Sequence, residues 1–342
     1  MSPYSAMTTA SPTLIHVPVT EIIAVAGVTP DAEALRHKRR GRWRSWSWAD
    51  IAAESEGLAG ALRERGIHGR SVVAISGDYA PALVLFAIAA ARAGARVASV
   101  STGVARAALA AWLRDEPFAL AFVGLREQLG TWQAALREAA RQGEIVADFH
   151  LPWGHPAASG VIAAADLLGD AAGGREAGPP ASDLLWIEEG TDWSDGLGFL
   201  LHALAEGTAL AFPESRIASG RDRREIQPAR FALSAAHRVA LARELATRLP
   251  SGQSLAAWLT RNALAAGRRG SAGWHQRWLL GRIRRPLGLA RLHELTVVGF
   301  PDVASPERDA LDLFAALGIP AGYAAPPGEG TGQPAWPRLA FA

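Results

Sequence analysis

The chain has 342 residues, with 35 Lys and Arg against 33 Asp and Glu, and its formal net charge of +2 makes no electrostatic case for nucleic acid or any other strongly charged partner. It contains no cysteine, which excludes disulfides, thiolate metal sites and cysteine nucleophiles. At this length, with 49% hydrophobic residues, it is a folded chain of about two domains rather than a disordered or fibrous one.

Residues 1–20 lack the basic start, apolar stretch and cleavage site of a signal peptide and read as a leader, so a cytoplasmic location is expected. A first helix is predicted over 19–26. The stretch 36–48 (RHKRRGRWRSWSW) mixes cations, including the single lysine Lys38, with alternating Trp46 and Trp48, which predicts a strand or hairpin. Ser47 or Asp50 then caps a helix over 49–65 that stops at Gly66. Beyond it, short apolar runs at 71–76, 96–100, 120–123 and 145–149 alternate with helical segments at 81–93, 106–115 and 125–142. That alternation implies crossover units on a parallel sheet. The most apolar window, 81–100, is broken by Arg92 and Arg96 and reads as a buried helix entering a strand, so no transmembrane segment is expected.

Periodicity lapses at 169–182 (GDAAGGREAGPPAS), the expected linker. It then resumes with strands at 184–187, 209–212, 231–234 and 295–298, and helices at 198–205, 235–249, 255–280 and 306–317. A loop is predicted at 318–327. The resulting organisation is a leader and first helix (1–34), a first α/β subdomain (35–175), a second (176–325) and a Gly/Pro-rich tail (326–342).

The segment richest in chemistry is 188–202, EEGTDWSDGLGFLLH, a polar loop that follows an apolar strand. His202, His237, His275 and His293 are scattered, with no metal-ligand spacing, and no G-x-S-x-G elbow occurs. The arginine clusters at 36–44, 221–224 and 282–285 read as solvated faces, since no nucleic-acid motif accompanies them. The stretch 274–289 (WHQRWLLGRIRRPLGL) places Trp274, Trp278, Ile283 and Leu287 along an apolar stripe flanked by arginine, the pattern of weak peripheral contact with a membrane surface. The twelve tryptophans, spread over the chain, are expected mainly in packing.

Several stretches, in order, resemble the AMP-binding superfamily of adenylate-forming enzymes, and within it the long-chain fatty acyl-CoA synthetases. Trp43 and Trp48 with the helix after them resemble the family's opening segment. Residues 66–100 (GIHGRSVVAISGDYAPALVLFAIAAARAGARVASV) resemble its G-D-x-V-A-I, D-N-x-P and A-G-A core. Residues 226–249 and 285–323 resemble two later segments. The resemblance implies an α/β fold of two flavodoxin-like subdomains, as in the amino-terminal part of acyl-CoA synthetases, without the carboxy-terminal barrel and mobile domain that follow in the family. It also places 188–202 where the family carries its phosphate loop TSGTTGxPKG. Gly190 and Thr191 then stand as a remnant nucleotide site, with Gly299 from the adenine loop and Tyr323 from the Y-G-x-T-E motif.

The departures from the family pattern are chemical. Glu188, Glu189, Asp192 and Asp195 occupy a place that should offer N–H groups, hydroxyls and a lysine to a triphosphate, and four carboxylates there would repel it. Alternatively the four acids form a solvated turn. Where the family has a magnesium-binding acid, this chain has Pro327. The resemblance therefore implies ATP and Mg²⁺ while the residues supply motifs for neither, so no cofactor, catalytic residue or metal ligand is assigned. The expected function is a catalytically inactive, acyl-CoA-synthetase-like protein that binds a protein partner or an acyl ligand. The alternative is half of a split or diverged fatty acid–CoA ligase completed by another chain.

Overall fold

The computed structural model describes residues 11–149, 160–168, 174–250, 252–269, 273–298 and 305–324. Two compact units emerge, one of Met1–Gly178 with Glu189–Thr208, the other of Pro179–Glu188 with Ala209–Ala342.

The first unit opens with strand β1 (Thr13–Ile15) and helix α1 (Val19–Val28). The hairpin β2 (Glu33–Arg39) and β3 (Arg42–Ser47) follows, with β9 (Arg175–Glu176) antiparallel to β3. Helix α2 (Trp48–Glu64) starts on a capping box, in which the Ser47 hydroxyl accepts the Asp50 N–H at 3.2 Å and the Asp50 carboxylate accepts the Ser47 N–H at 2.7 Å. Alternating units then run β4 (Val72–Ser76), α3 (Pro81–Arg92), β5 (Arg96–Ser99), α4 (Arg106–Asp115), β6 (Phe118–Val123), α5 (Leu129–Glu138), β7 (Glu144–Ala147), β8 (Val161–Ala163) and α6 (Ala164–Leu168). Helix α7 (Gly196–Ala205) also belongs to this unit.

The sheet order is β1-β5-β4-β6-β7-β8, parallel except for β1. Its five parallel strands, taken in chain order, lie 2-1-3-4-5, the flavodoxin order. Every residue of β4 is buried, as a central parallel strand covered on both faces requires. The core includes Trp132, fully buried on α5 and stacked on Phe118 at a centroid distance of 6.3 Å.

The second unit repeats the plan with β10 (Leu185–Trp186), β11 (Leu210–Phe212), α8 (Ser219–Ile226), β12 (Arg230–Ser234), α9 (Ala235–Arg248), α10 (Leu255–Arg268), α11 (Trp274–Arg284), β13 (Glu294–Val298), α12 (Ser305–Ala316) and β14 (Ala321–Ala324). Its strands run β14-β13-β12-β10-β11, all parallel, which is again 2-1-3-4-5 in chain order. The α/β fold of two flavodoxin-like subdomains is thus the observed one.

Several expectations are corrected. The leader holds a strand, because Thr13–Ile15 pairs antiparallel with Ser99, Ala98 and Val97 of β5. The Gly/Pro-rich stretch at 169–182 contains β9, whose two residues satisfy the free edge of β3. The long helix expected over 255–280 is two helices, α10 and α11. The loop expected at 318–327 begins with β14, since Ala321 to Ala324 pair with Leu295 to Val298. Helix α8 had no apolar stripe to announce it, because two of its three buried residues are Asp222 and Arg223. Among the described residues no helix is long and apolar enough to cross a membrane.

Candidate functional site

In open parallel sheets, ligands bind beyond the carboxyl ends of the strands, where chain order reverses across the sheet. Each unit has one such switch point, between β4 and β6 in the first and between β10 and β12 in the second.

The first switch point is filled by the loop that follows Glu188. The Thr191 hydroxyl is buried, accepts the Gly77 N–H at 3.0 Å and donates to the Val100 carbonyl at 2.6 Å. The Thr191 N–H donates to the Gly77 carbonyl at 2.9 Å, and Gly190 forms an antiparallel bridge with Asp78. The Tyr79 hydroxyl donates to the Trp193 carbonyl at 3.2 Å, with the two rings edge to face. Gln128 closes the remaining side, its amide donating to Ser76 Oγ at 2.7 Å and to the Thr102 carbonyl at 3.2 Å. Gly196 opens α7 as a spacer. A Cβ there would lie 2.5 Å from both the Trp193 ring and the Tyr79 hydroxyl. Gly190 and Thr191 are therefore brought to a switch point, and there the Thr191 hydroxyl and N–H are bonded to the chain's own backbone, while the Gly190 carbonyl accepts the Trp193 N–H at 3.0 Å.

The second switch point holds a buried ion cluster. Glu188 follows β10 and is 5% exposed. One carboxylate oxygen accepts from Arg223 of α8 at 2.6 Å and meets His237 Nε2 at 2.8 Å. The other oxygen accepts the Trp186 indole N–H at 2.8 Å. Burial alone would push this carboxyl up, but the Arg223 charge, the hydrogen bond and charge of His237 and the Trp186 N–H outweigh it and hold it down at about 2. Arg223 is itself 2% exposed, donates from Nε to the Leu287 carbonyl at 2.9 Å, and lies over the Phe231 ring at 5.6 Å. Ser234, at the end of β12, caps α9 by accepting the His237 N–H at 3.1 Å, which sets His237 in the first turn of that helix. Gly288, at φ +73°, lets the turn after α11 pass the Arg223 backbone, where a Cβ would approach to 2.6 Å.

This cluster corrects two expectations. Glu188 is neither a repelling charge of a phosphate loop nor part of a solvated turn; it is an internal anion neutralised in place. Arg223 leaves the solvated arginine face expected at 221–224 and is buried as its partner. Among the other acids of the segment, Glu189, Asp192 and Asp195 are half-buried, and burial raises Asp195 above the ordinary carboxylate range. The sequence alone did not join Glu188, Arg223 and His237. The available signal was a carboxylate placed directly after an apolar strand, which must find a cation once buried. Of the remaining site residues, Tyr323 lies in β14, its backbone opposite Val297, and Gly299 lies outside the described residues, as do Pro327 and the tail at 326–342.

Among the described residues no group of three or more His, Asp or Glu could hold a metal ion. Lys38, the single lysine, is on β2, with Nζ 5.6 Å from the Trp43 ring centroid. MgATP does not fit these residues. A phosphate-binding loop needs unspent N–H and hydroxyl groups and a cation, and here the Thr191 hydroxyl and N–H are bonded to backbone while Arg223 is paired with Glu188.

Residues 23–170 match the family model described as AMP-binding enzyme. No curated protein sequence matches the chain. Among solved structures, the chain is similar to the acyl-CoA synthetase of Brucella canis, at 16% identity over 94% of this chain and 59% of that one, with a TM-score of 0.60. It is similar to the adenylation domain of a carboxylate reductase from Mycobacterium chelonae, at 13% identity, 91% and 58% coverage and a TM-score of 0.64. It also resembles the acetoacetyl-CoA synthetase of Streptomyces lividans, at 16% identity, 90% and 51% coverage and a TM-score of 0.57. The chain thus spans between 51% and 59% of the length of these three proteins, and at such identities the likeness is one of fold.

Proposed function

We propose that this member of the AMP-binding superfamily is a binding protein that does not adenylate carboxylic acids and instead takes an acyl ligand or a protein partner. The single observation that carries the reading is the buried Glu188, held ionised by Arg223, His237 and Trp186 at the switch point of the second unit. Carboxylate activation by MgATP depends on cations and N–H donors aimed at charge that develops on the phosphates. At this site those donors already hold a carboxylate of the protein itself. Displacing that carboxylate would leave either it or Arg223 as an unpaired buried charge, a cost of several kcal/mol. Thr191 supports the same reading in the first unit, because its hydroxyl and N–H are both committed to backbone. The likeness in fold to acyl-CoA synthetases is what suggests an acyl group as the ligand class.

The test is thermal unfolding of the full chain with MgATP, a non-hydrolysable acyl-adenylate mimic and a series of acyl-CoAs. A ligand at a hundred times its dissociation constant adds about 2.7 kcal/mol and moves the midpoint visibly. The expected result is a shift with an acyl-CoA, or with a defined partner protein, and none with MgATP or the mimic. Stabilisation by MgATP, or adenylate formed from any carboxylic acid by the chain alone or mixed with a second polypeptide, overturns the proposal.

A further inference from the structure

Formal charge is distributed unevenly. Between Glu244 and Glu294 the chain has nine arginines and no acidic residue, although the whole chain carries only +2, so the rest of it is formally −7. This stretch builds α10 and α11, which pack against each other in the second unit. Both helices expose large apolar side chains. On α10, Leu255, Trp258 and Leu259 are 71%, 54% and 43% exposed, at the i, i+3, i+4 spacing of one helix face. On α11, Trp274 and Trp278 are 78% and 59% exposed, one turn apart. Arg268, Arg269, Arg277, Arg282 and Arg285 are exposed around them, and none forms an ion pair among the described residues. Arg282 lies over the Trp278 ring at 5.0 Å, and these two with Arg285 and Pro286 line a groove of about 550 Å³.

We propose that α10 and α11 form a docking surface for an anionic lipid bilayer. Tryptophan with an apolar body and polar edge settles at the headgroup level, and arginines around it meet lipid phosphates. Leu255 and Leu259 decide between a bilayer and a nucleic acid. Aliphatic side chains add nothing to stacking on bases, whereas they gain from entering the acyl boundary. Charge complementarity selects anionic over neutral membranes. The proposal rests on exposed side chains of α10 and α11 and does not depend on the ligand proposed above.

The experiment is sedimentation of the full chain with phosphatidylcholine vesicles, with and without a third of phosphatidylglycerol, in low and high salt. Binding is expected only with the anionic vesicles, weakened by salt, with hydrogen-exchange protection confined to α10 and α11. The W274A/W278A variant should lose most of the binding. The R277Q/R282Q/R285Q variant should weaken it by on the order of a hundredfold, at roughly fivefold per arginine. All five positions are exposed, so both variants should melt at the wild-type midpoint. Four results overturn the proposal: no binding to anionic vesicles, equal binding to neutral ones, duplex DNA bound more tightly than vesicles, or a self-association in solution abolished by the same substitutions.

Discussion

Replacing Glu188 by glutamine tests the ion cluster most directly. Glutamine keeps the volume and can still accept the Trp186 N–H, but it leaves Arg223, 2% exposed, without its counter-charge. Removing one partner of a buried pair costs about 3–5 kcal/mol. A second route gives a similar figure. The carboxyl falls from an ordinary 4.5 to about 2, so its ionisation in the folded state contributes about 3 kcal/mol. Because the folded value is depressed, this stabilisation is fully present above pH 4.5 and is lost as pH falls from 4.5 toward about 2. The assay is urea unfolding of wild type and E188Q at several pH values, with hydrogen exchange of α8 and α9 to report on the second unit. The expected gap is about 3–5 kcal/mol at pH 7, narrowing as pH drops below 4.5. Adding Arg223→Met should recover part of it, since the stranded charge is then gone. A gap below about 1 kcal/mol, or one independent of pH, would refute the electrostatic account.

Thr191→Val should destabilise the first unit by about 1–3 kcal/mol, because it strands the buried Gly77 N–H and Val100 carbonyl, while Thr191→Ser should cost far less; chemical denaturation measures both. Gly288→Ala should cost about 1–3 kcal/mol in the second unit through its positive φ and the approach of Cβ to the Arg223 backbone, read as lowered exchange protection of α8. Glu54 on α2 is raised to about 7 by burial and by the Asp50 charge, against a hydrogen bond from Trp46. Its neutral form is therefore favoured in the fold, an advantage complete below pH 4.5 and lost as pH rises through 7. Glu54→Gln should stabilise the protein above pH 7 by on the order of 1 kcal/mol, after allowance for its partial exposure, and should have no effect below pH 4.5 in melting experiments.

Local signals located most of the elements because they are local physics. Buried parallel strands such as Val72–Ser76 are continuous apolar runs, and Ser47 with Asp50 announces its helix through a hydrogen-bonded box. Elements set by distant partners were invisible. Thr13–Ile15 and Arg175–Glu176 are strands only because β5 and β3 offer edges, and neither has an apolar alternation of its own. Helix α8 buries an aspartate and an arginine, so its inner face looks like an outer one. The tryptophans divide in the same way. Trp46, Trp48, Trp132 and Trp186 are core, whereas Trp258, Trp274 and Trp278 are on the surface.

The amino-acid sequence by itself determined the alternating α/β plan, the absence of thiol chemistry and the acidic character of the segment 188–195, since each of these rests on residue type and near-neighbour spacing. Only the tertiary structure decided which of those acids is buried and what neutralises it. Glu188 and Glu189 are adjacent acids in a polar segment, yet one is a buried anion and the other half-exposed. The difference arises because β10 ends between β11 and β12, where Arg223 and His237, 35 and 49 residues further along the chain, arrive at one carboxylate. A charge is stable in the interior only beside its counter-charge, and that neighbour is set by strand order rather than by sequence distance.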